Sequence, residues 1–596
     1  MRNITVLEDD FEKKEENILI ENSKGGLPVV IFNGYYLNSK YNPLKESKQL
    51  ADKYYKKNYT HVLFGLAHSY LAKELLNKMG ENDFLLIIEP SIKLFEMVNS
   101  KGALEPLLES EQVFFIVGYE HNQLEEEIRY LVNTRNIGQL EFIPSPNYER
   151  LYPHLLKHLK EEIIKNVRLS LVNIATMVKY GKLWQENTLY NLYNSWKSTP
   201  FKKIENKFDC PVIIAASGPS LNKQLGKLKE IRENQSALII AAGSTINPLL
   251  KAGIKPHIVV SIDGAEANWK HFEGLDYDDV SLFYSLNVHK EIPLNHNGVN
   301  VIFNSQDKDL SDWINKIVGE DLGYVFGGAS VANYCFYIAK KITSGPICLI
   351  GQDLAYTDNV SHAVGNSNLK KISENETNKN KNYIEVKSYY GKTILSDYSL
   401  LSMKKVFEDM IDLFRKSGDK RHIYNCTEGG AKIEGINNLD FEDFIKNYCS
   451  MSYNKEFIDT FLEEKNNFIS KSNISSGFEI EQKNLQELVR MTEKAIEIIN
   501  GLSMDTVYID NKALKKLDTL DDKINEYSKS NIIYFLIMPL SFQVNHTHQE
   551  VEGETLIERK RRVMKKSLAL YKGILESAEY TLKILDTIES ERKGVG

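Results

Sequence analysis

Residues 210–264 read CPVIIAASGPSLNKQLGKLKEIRENQSALIIAAGSTINPLLKAGIKPHIVVSIDG. An apolar run at 212–216 breaks at Ser217-Gly218-Pro219-Ser220 and passes into a helical pattern, so a strand, a tight loop and a helix start follow one another. Backbone N–H groups at such a start lack intrahelical partners, and the helix dipole adds partial positive charge, which predicts a phosphate site. Gly218 permits close approach of a ligand, and the hydroxyls of Ser217 and Ser220 add donors. The same residues also read as a Gly-Pro turn with Ser220 capping an ordinary helix. The pattern then recurs: a strand at 237–242 ends on Gly243-Ser244-Thr245, and another at 257–262 ends on Asp263-Gly264. Small polar residues at the carboxyl ends of successive strands mark the edge where open α/β sheets bind ligands.

A chain of 596 residues exceeds what one hydrophobic core organises, so several domains are expected. Its 42% hydrophobic and 26% charged residues are those of an ordinary globular protein rather than a disordered one. A net charge of −7 with both signs interspersed, and no basic stripe, argues against general nucleic-acid binding. The opening MRNITVLEDDFEKKEEN has no basic segment followed by an apolar run, so a cytoplasmic location is expected. The longest apolar stretch, 532–542, contains Pro539 and falls short of the ~20 residues that span a bilayer; it reads as a buried helix. Cys210, Cys335, Cys348, Cys426 and Cys449 show neither metal-ligand spacing nor a disulfide framework and read as core residues in a reducing compartment.

The fold class read from these patterns is multi-domain α/β: a Rossmann-like N-terminal domain, a central α/β domain and an all-α C-terminal domain. Residues 1–165 alternate strand and helix patterns in the doubly wound manner. Glu89 follows a strand about 20 residues after a glycine-bearing turn, as an acid that grips a ribose does. Gly65 stands alone in place of G-x-G-x-x-G, however, which makes a degenerate scaffold the default. Residues 166–204 read as a helical connector, with Leu183, Trp184, Leu189, Tyr190, Tyr193 and Trp196 at helical spacing and a hairpin expected. The central domain spans 205–445 and an amphipathic helical domain 446–596, while the polar run 370–381 reads as a mobile loop.

A second set of loops falls in the central domain. Gly327-Gly328-Ala329-Ser330 precede a helix at 331–341, forming another backbone cradle. The strand at 346–350 ends in GQDLAYTDNVSHA, presenting Gln352, Asp353, Tyr356, Asp358 and His362. A short strand at 422–424 leads into Asn425-Cys426-Thr427-Glu428-Gly429-Gly430-Ala431. Such residues also build hydrogen-bonded surface turns.

Taken in order, AASGPSL, SIDG, GGAS, GQDLAYTDNVSHA and NCTEGGAKIEG resemble the motility accessory factor (Maf) glycosyltransferases, which attach nonulosonic acids such as legionaminic or pseudaminic acid to bacterial flagellin. The central domain is also similar to bacterial sialyltransferases that use CMP-activated sugars; their G-x-G-P-S-L loop corresponds to 216–221 here, with Asn in the place of Ser217. The resemblance implies a sialyltransferase-like catalytic domain, a CMP-activated nonulosonic acid as donor, Ser or Thr of flagellin as acceptor, and a role in flagellar assembly and motility. It implies a donor site built from Ser217, Gly218, Pro219, Ser220, Gly243, Ser244, Asp263, Gly327, Gly328, Gln352, Thr427 and Glu428.

Transfer through an oxocarbenium-like centre needs charge stabilisation, for which Tyr356 and the loop donors are candidates, and a base for the acceptor hydroxyl. The sialyltransferases take that base from a histidine in a segment matching 390–396; YGKTILS has none, leaving His362 and Asp353 as substitutes. A CMP donor carries one phosphate, so neither metal nor cofactor is expected, although Asp353 and Asp358 could hold Mg²⁺ through a diphosphate. His546-Thr547-His548 lacks a third ligand. The C-terminal helices are expected to dock the acceptor. Two alternatives stand beside this reading: an ATP-dependent pyrophosphokinase of the 6-hydroxymethylpterin type, which shares the G-P-S-L loop, and a non-catalytic flagellin-binding chaperone. No oligomeric state follows from the sequence.

Overall fold

The computed structural model describes the chain except for residues 1–2, 8–15, 81–82, 121–122, 126, 129–138, 306–307, 373–382, 454–467, 504–509, 529–531, 550, 552 and 595–596. Most of the polar run at 370–381 therefore lies outside the described residues. The chain forms two compact units, one of residues 1–179 with 538–566 and the other of 180–537 with 567–596.

In the first unit, β1 (Ile4–Val6), β2 (Ile18–Asn22), β3 (Pro28–Phe32) and β4 (Tyr35–Tyr36) are followed by β5 (Thr60–Phe64), β6 (Phe84–Glu89), β7 (Val113–Val117) and β8 (Leu140–Pro144). A five-stranded parallel sheet has the order β1-β7-β6-β5-β8, and β2, β3 and β4 form a separate antiparallel sheet. Strands β5 and β6 are buried after their first residue and mostly apolar because both faces are covered, as parallel sheets require.

The second unit holds β9 (Thr199–Pro200), β10 (Val212–Ala215), β11 (Leu238–Ala242), β12 (Ile258–Ser261), β13 (Ser281–Ser285), β14 (Asn300–Phe303), β15 (Ile347–Ile350), β16 (Tyr383–Lys387), β17 (Thr393–Asp397), β18 (Ile423–Asn425) and β19 (Asn437–Asn438). Strands β16 and β17 form a hairpin. The others make a nine-stranded sheet in the order β19-β18-β15-β10-β11-β12-β13-β14-β9 with every pairing parallel. From β10 the chain builds outward to β14, then returns to lay β15 on the other side of β10. Strand order reverses between β10 and β15, and a crevice opens outside the carboxyl ends of strands at such a point.

The core under this crevice is apolar and closed: Val212, Ile214, Ile240, Val260 and Phe283 pack with Cys335, Phe336 and Ile338. The Val331–Ile342 helix presents Ala332, Cys335, Phe336 and Ala339 to the sheet at a spacing of three or four, and its Phe336 ring, fully buried, stabilises by about 2–3 kcal/mol.

The connector differs from the expected hairpin. Residues Pro153–Asn194 form one continuous helix. Within it Gly181 is a point of close contact: a Cβ there would lie 2.8 Å from the Phe535 carbonyl oxygen. Beyond the sheet the described residues are helical, at Lys471–Asn500, Asn511–Ser528, Tyr534–Thr547 and Leu556–Gly594. The apolar stretch around Pro539 lies in the third of these, with Ile532, Ile533 and Phe535 buried. No helix among the described residues is long and apolar enough to cross a membrane. All five cysteines are buried and unpaired, and burial pushes the Cys210 thiol up to about 12.

Candidate functional site at the carboxyl edge of the nine-stranded sheet

The loops after β10, β11, β12, β15 and β18 all leave from the same edge of one parallel sheet, which brings the sequence-selected residues to a common rim. At the reversal point the β10 and β15 loops lock together. Ala216 N–H donates to the Ile350 carbonyl and Gly218 N–H to the Gly351 carbonyl at 2.8 Å. A Cβ on Gly218 would lie 2.1 Å from Asp353 Oδ2 and 2.4 Å from the Gly351 oxygen. The glycine is thus required, but what approaches it is the neighbouring loop rather than a ligand. Pro219 opens a 3-10 turn, Pro219–Lys223, and the α-helix begins only at Leu225.

Asp353 is the centre of this lock. Its carboxylate accepts from the Ser220 hydroxyl at 2.6 Å, from the Ser220 N–H at 3.3 Å and from the Thr357 hydroxyl, while its carbonyl accepts from the Ala431 N–H at 2.7 Å. Burial raises its pKa against the pull of those hydrogen bonds. Ser220 and Asp353 are therefore engaged by the protein itself. Ser217 is half-buried, and its hydroxyl has no hydrogen-bond partner among the described residues.

The more open anion-binding feature belongs to the Val331–Ile342 helix. Ser330 caps it through a reciprocal capping box with Asn333, and the N–H groups of the first turn carry the positive end of the dipole. Gly243, at the end of β11, lies beside it: a Cβ on Gly243 would sit 3.5 Å from Val331 Cγ2. Gly327 and Gly328 leave room for protein here, since Cβ atoms on them would meet the Tyr334 ring and Val406 Cγ1. Ser330 was quoted in the sequence only as part of its motif; its hydroxyl is what shapes this helix start.

Residues 361–370 fold back over the β10 and β11 loops. Ala363 N–H donates to the Ser217 carbonyl at 2.8 Å, Val364 N–H to Asn222 Oδ1 at 3.1 Å, and Asn366 Nδ2 to Ser244 Oγ at 3.0 Å. This fold-back ties the residue after His362 to the Ser217 carbonyl, and the His362 ring meets Ser361 Oγ at 3.0 Å. Burial lowers the His362 pKa, and the charge of His271 acts in the same direction. His271 pairs with Ser367 Oγ at 3.0 Å, and its own pKa is lowered by burial against the opposing field of Asp263. His362, His271 and Asp263 therefore form one electrostatic group. Sequence reasoning missed His271, which stands in NWKHFEG with no motif around it. Asp263 itself is exposed and accepts from Ala265 N–H at 2.9 Å.

Tyr356 is placed by its N–H, which donates to the Leu395 carbonyl at 2.8 Å, and its hydroxyl donates to Asp397, the N-cap of the Tyr398–Lys416 helix. Leu354, Asp358 and Asn359 in the same loop have φ of 52°, 54° and 58°; for the buried leucine this is backbone strain of a kind that persists where surroundings over-determine it. Thr427 accepts from Gln352 N–H at 3.2 Å, and Glu428 accepts from Phe441 N–H at 2.7 Å. The Gln352 Oε1 atom is buried with no partner among the described residues.

The ribose-gripping geometry in the first unit is closed from within. Glu89, fully buried, accepts from Tyr148 hydroxyl at 2.5 Å, Leu66 N–H at 2.8 Å and Ser91 N–H at 2.9 Å. A Cβ on Gly65 would lie 2.4 Å from the Tyr148 ring, which fills the space a nucleotide would enter. Burial raises the Glu89 pKa to about 7. His546 and His548 lie at the end of their helix, where His546 Nδ1 meets Gln549 Nε2 at 3.3 Å. Among the described residues, Glu125, His158 and Glu162 come close enough to share an ion, but the Lys165 ammonium stands 3.0 Å from Glu162 and 3.7 Å from Glu125.

A family model described as 6-hydroxymethylpterin diphosphokinase MptE-like matches residues 186–359, which include the β10 and β15 loops. Two uncharacterized proteins of Treponema pallidum (strain Nichols) are similar to the chain. One is 22% identical over 225 residues, covering 36% of this chain and 74% of that protein; the other is 26% identical over 166 residues, covering 28% and 77%. Among solved structures, the Maf glycosyltransferase from Magnetospirillum magneticum AMB-1 matches 98% of this chain and 93% of its own with a TM-score of 0.60 at 13% identity. The chain therefore has the fold of that glycosyltransferase along nearly its whole length.

Proposed function

We propose that this protein is a glycosyltransferase that moves a nonulosonic acid from a CMP-activated donor to a Ser or Thr hydroxyl of flagellin. The observation that carries this reading is the fold shared with a Maf glycosyltransferase over 98% of the chain, with the motif residues gathered on one sheet edge. In the reaction, the bond between the anomeric carbon and the phosphate oxygen breaks and CMP leaves with the electron pair. The acceptor oxygen bonds to the anomeric carbon, and its proton passes to a base.

The first turn of the Val331–Ile342 helix and the hydroxyl of Ser217 supply fixed dipoles for the leaving phosphate, while Ser330, bonded to Asn333, and Tyr356, bonded to Asp397, hold the loops that carry them. His362, kept neutral by burial with the charges of His271 and Lys370 acting in the same direction, takes the acceptor proton. Asp353, held by Ser220 and Thr357, positions the loops. Thr427 and Glu428 steady the β18 loop, and Gln352 offers its unpaired oxygen to the donor.

The family-model match supports a second reading, diphosphate transfer from ATP to a hydroxymethylpterin. Incubating the purified chain with unmodified flagellin and CMP-pseudaminic or CMP-legionaminic acid, and weighing intact flagellin by mass spectrometry, separates the two. A gain of one sugar mass per modified Ser or Thr, with CMP release, is expected; AMP release from ATP and 6-hydroxymethylpterin, with unmodified flagellin, favours the diphosphokinase.

A further inference from the structure

The Lys471–Asn500 and Asn511–Ser528 helices pack together and leave a groove of about 640 Å³ along their contact. One wall carries Arg490 and Lys494, the other Lys515, Lys516 and Lys523, with Met491 and Leu520 half-buried beneath them. Among the described residues Glu487 is the one acidic residue in the lining, 3.8 Å from Arg490 in an exposed and therefore screened pair. Lys494, Lys515, Lys516 and Lys523 form no ion pair among the described residues.

This concentration is not an accident of a lysine-rich surface. Successive residues of an α-helix turn by about 100°. On that spacing Lys515, Lys516, Thr519, Leu520 and Lys523 share one side of their helix, with Asp522 and Asp518 beyond its Lys515 edge and Asp521 on the far side. Five cations thus face one carboxylate within a chain whose net charge is −7. The floor is apolar, and among the described residues no aromatic side chain lines the groove, so they offer single-stranded nucleic acid no platform on which to stack its bases. A cationic rim over a thioether and an isobutyl group complements a helix that carries carboxylates beside an aliphatic stripe.

We infer that this groove docks an acidic amphipathic helical segment of a partner protein. The inference stands apart from the chemistry at the sheet edge, so either can fail alone. The test uses the full chain and a labelled three-heptad peptide with leucine at positions a and d and glutamate on the flanks, followed by fluorescence anisotropy. Binding that weakens with added potassium chloride is expected, together with loss of at least about tenfold in affinity in the quadruple variant K494E/K515E/K516E/K523E. The matching quadruple Lys→Gln variant should weaken binding less, and decides the matter if the reversed charges disturb folding by circular dichroism. Charge reversal on another exposed face, K572E/K583E, should leave affinity unchanged. An absence of peptide binding, or binding equal in all variants, overturns the proposal. So does tighter binding of a single-stranded oligonucleotide that the same substitutions abolish, which would make the groove a nucleic-acid surface.

Discussion

Gly218 admits no side chain, because Asp353 Oδ2 and the Gly351 carbonyl oxygen lie where its Cβ would be. A glycine between a buried strand and a Pro-Ser turn is legible as a point of close approach. That the approaching group is Asp353 from a loop 135 positions later is a tertiary fact no local pattern carries. His271 was illegible for the opposite cause: nothing in its neighbourhood marks it, and only the fold-back of residues 361–370 brings Ser367 and His362 to it. The histidine pair has a pH consequence. A base must be neutral to act, and burial lowers the His362 pKa below its ordinary value of 6.5, so the neutral form persists into mildly acidic solution. The acid limb of kcat/KM for sugar transfer should therefore fall below pH 6.5. His362→Ala should lower kcat by roughly 10²–10⁴-fold and remove that limb, as read from rate profiles of CMP release in the presence of acceptor. An unchanged profile in the variant would remove His362 from the reaction.

Elements were legible where burial imposes pattern. The strands β10, β11, β12 and β15 lie within a residue or two of the apolar runs that announce them, because both faces of a parallel sheet exclude water and leave no alternation to misread. The connector, expected as a hairpin from its apolar spacing, is one helix because a spacing of three or four fits a continuous helix as well as two short ones; helix propensity over Pro153–Asn194 outweighs Gly181, whose missing Cβ admits the Phe535 carbonyl. In the first unit, the β6 strand end that resembles a ribose site instead stores a buried acid. Glu89 has a folded pKa of about 7 against 4.5 for the free group. Because the folded pKa is raised, the folded state binds more protons than the unfolded one between these values, and stability falls as pH rises through that window. The slope should amount to roughly 3 kcal/mol across it. Glu89→Gln should flatten the slope while costing about 1 kcal/mol at pH 5 through a mismatched hydrogen bond. Urea unfolding of both proteins at a series of pH values checks this; equal slopes would mean that Glu89 is not the titrating group.

For the whole molecule, the order of α/β and helical regions was readable from periodicity, and the comparison with a Maf glycosyltransferase extends the shared fold over 98% of the chain. The basic groove was not readable. A count of charges along the sequence finds both signs interspersed, and the segregation exists only once two helices wind and pack. The candidate site is likewise a property of the assembled sheet, since its residues come from loops as far apart as Ser217 and Glu428.

The account rests on a cytidine monophosphate donor at that edge. Calorimetric titration of CMP and of ATP into the intact chain, and into Ser217→Trp and Ala329→Trp variants, tests it most directly. Selective binding of CMP that both substitutions abolish is the predicted result, whereas selective binding of ATP with CMP inert would contradict the account.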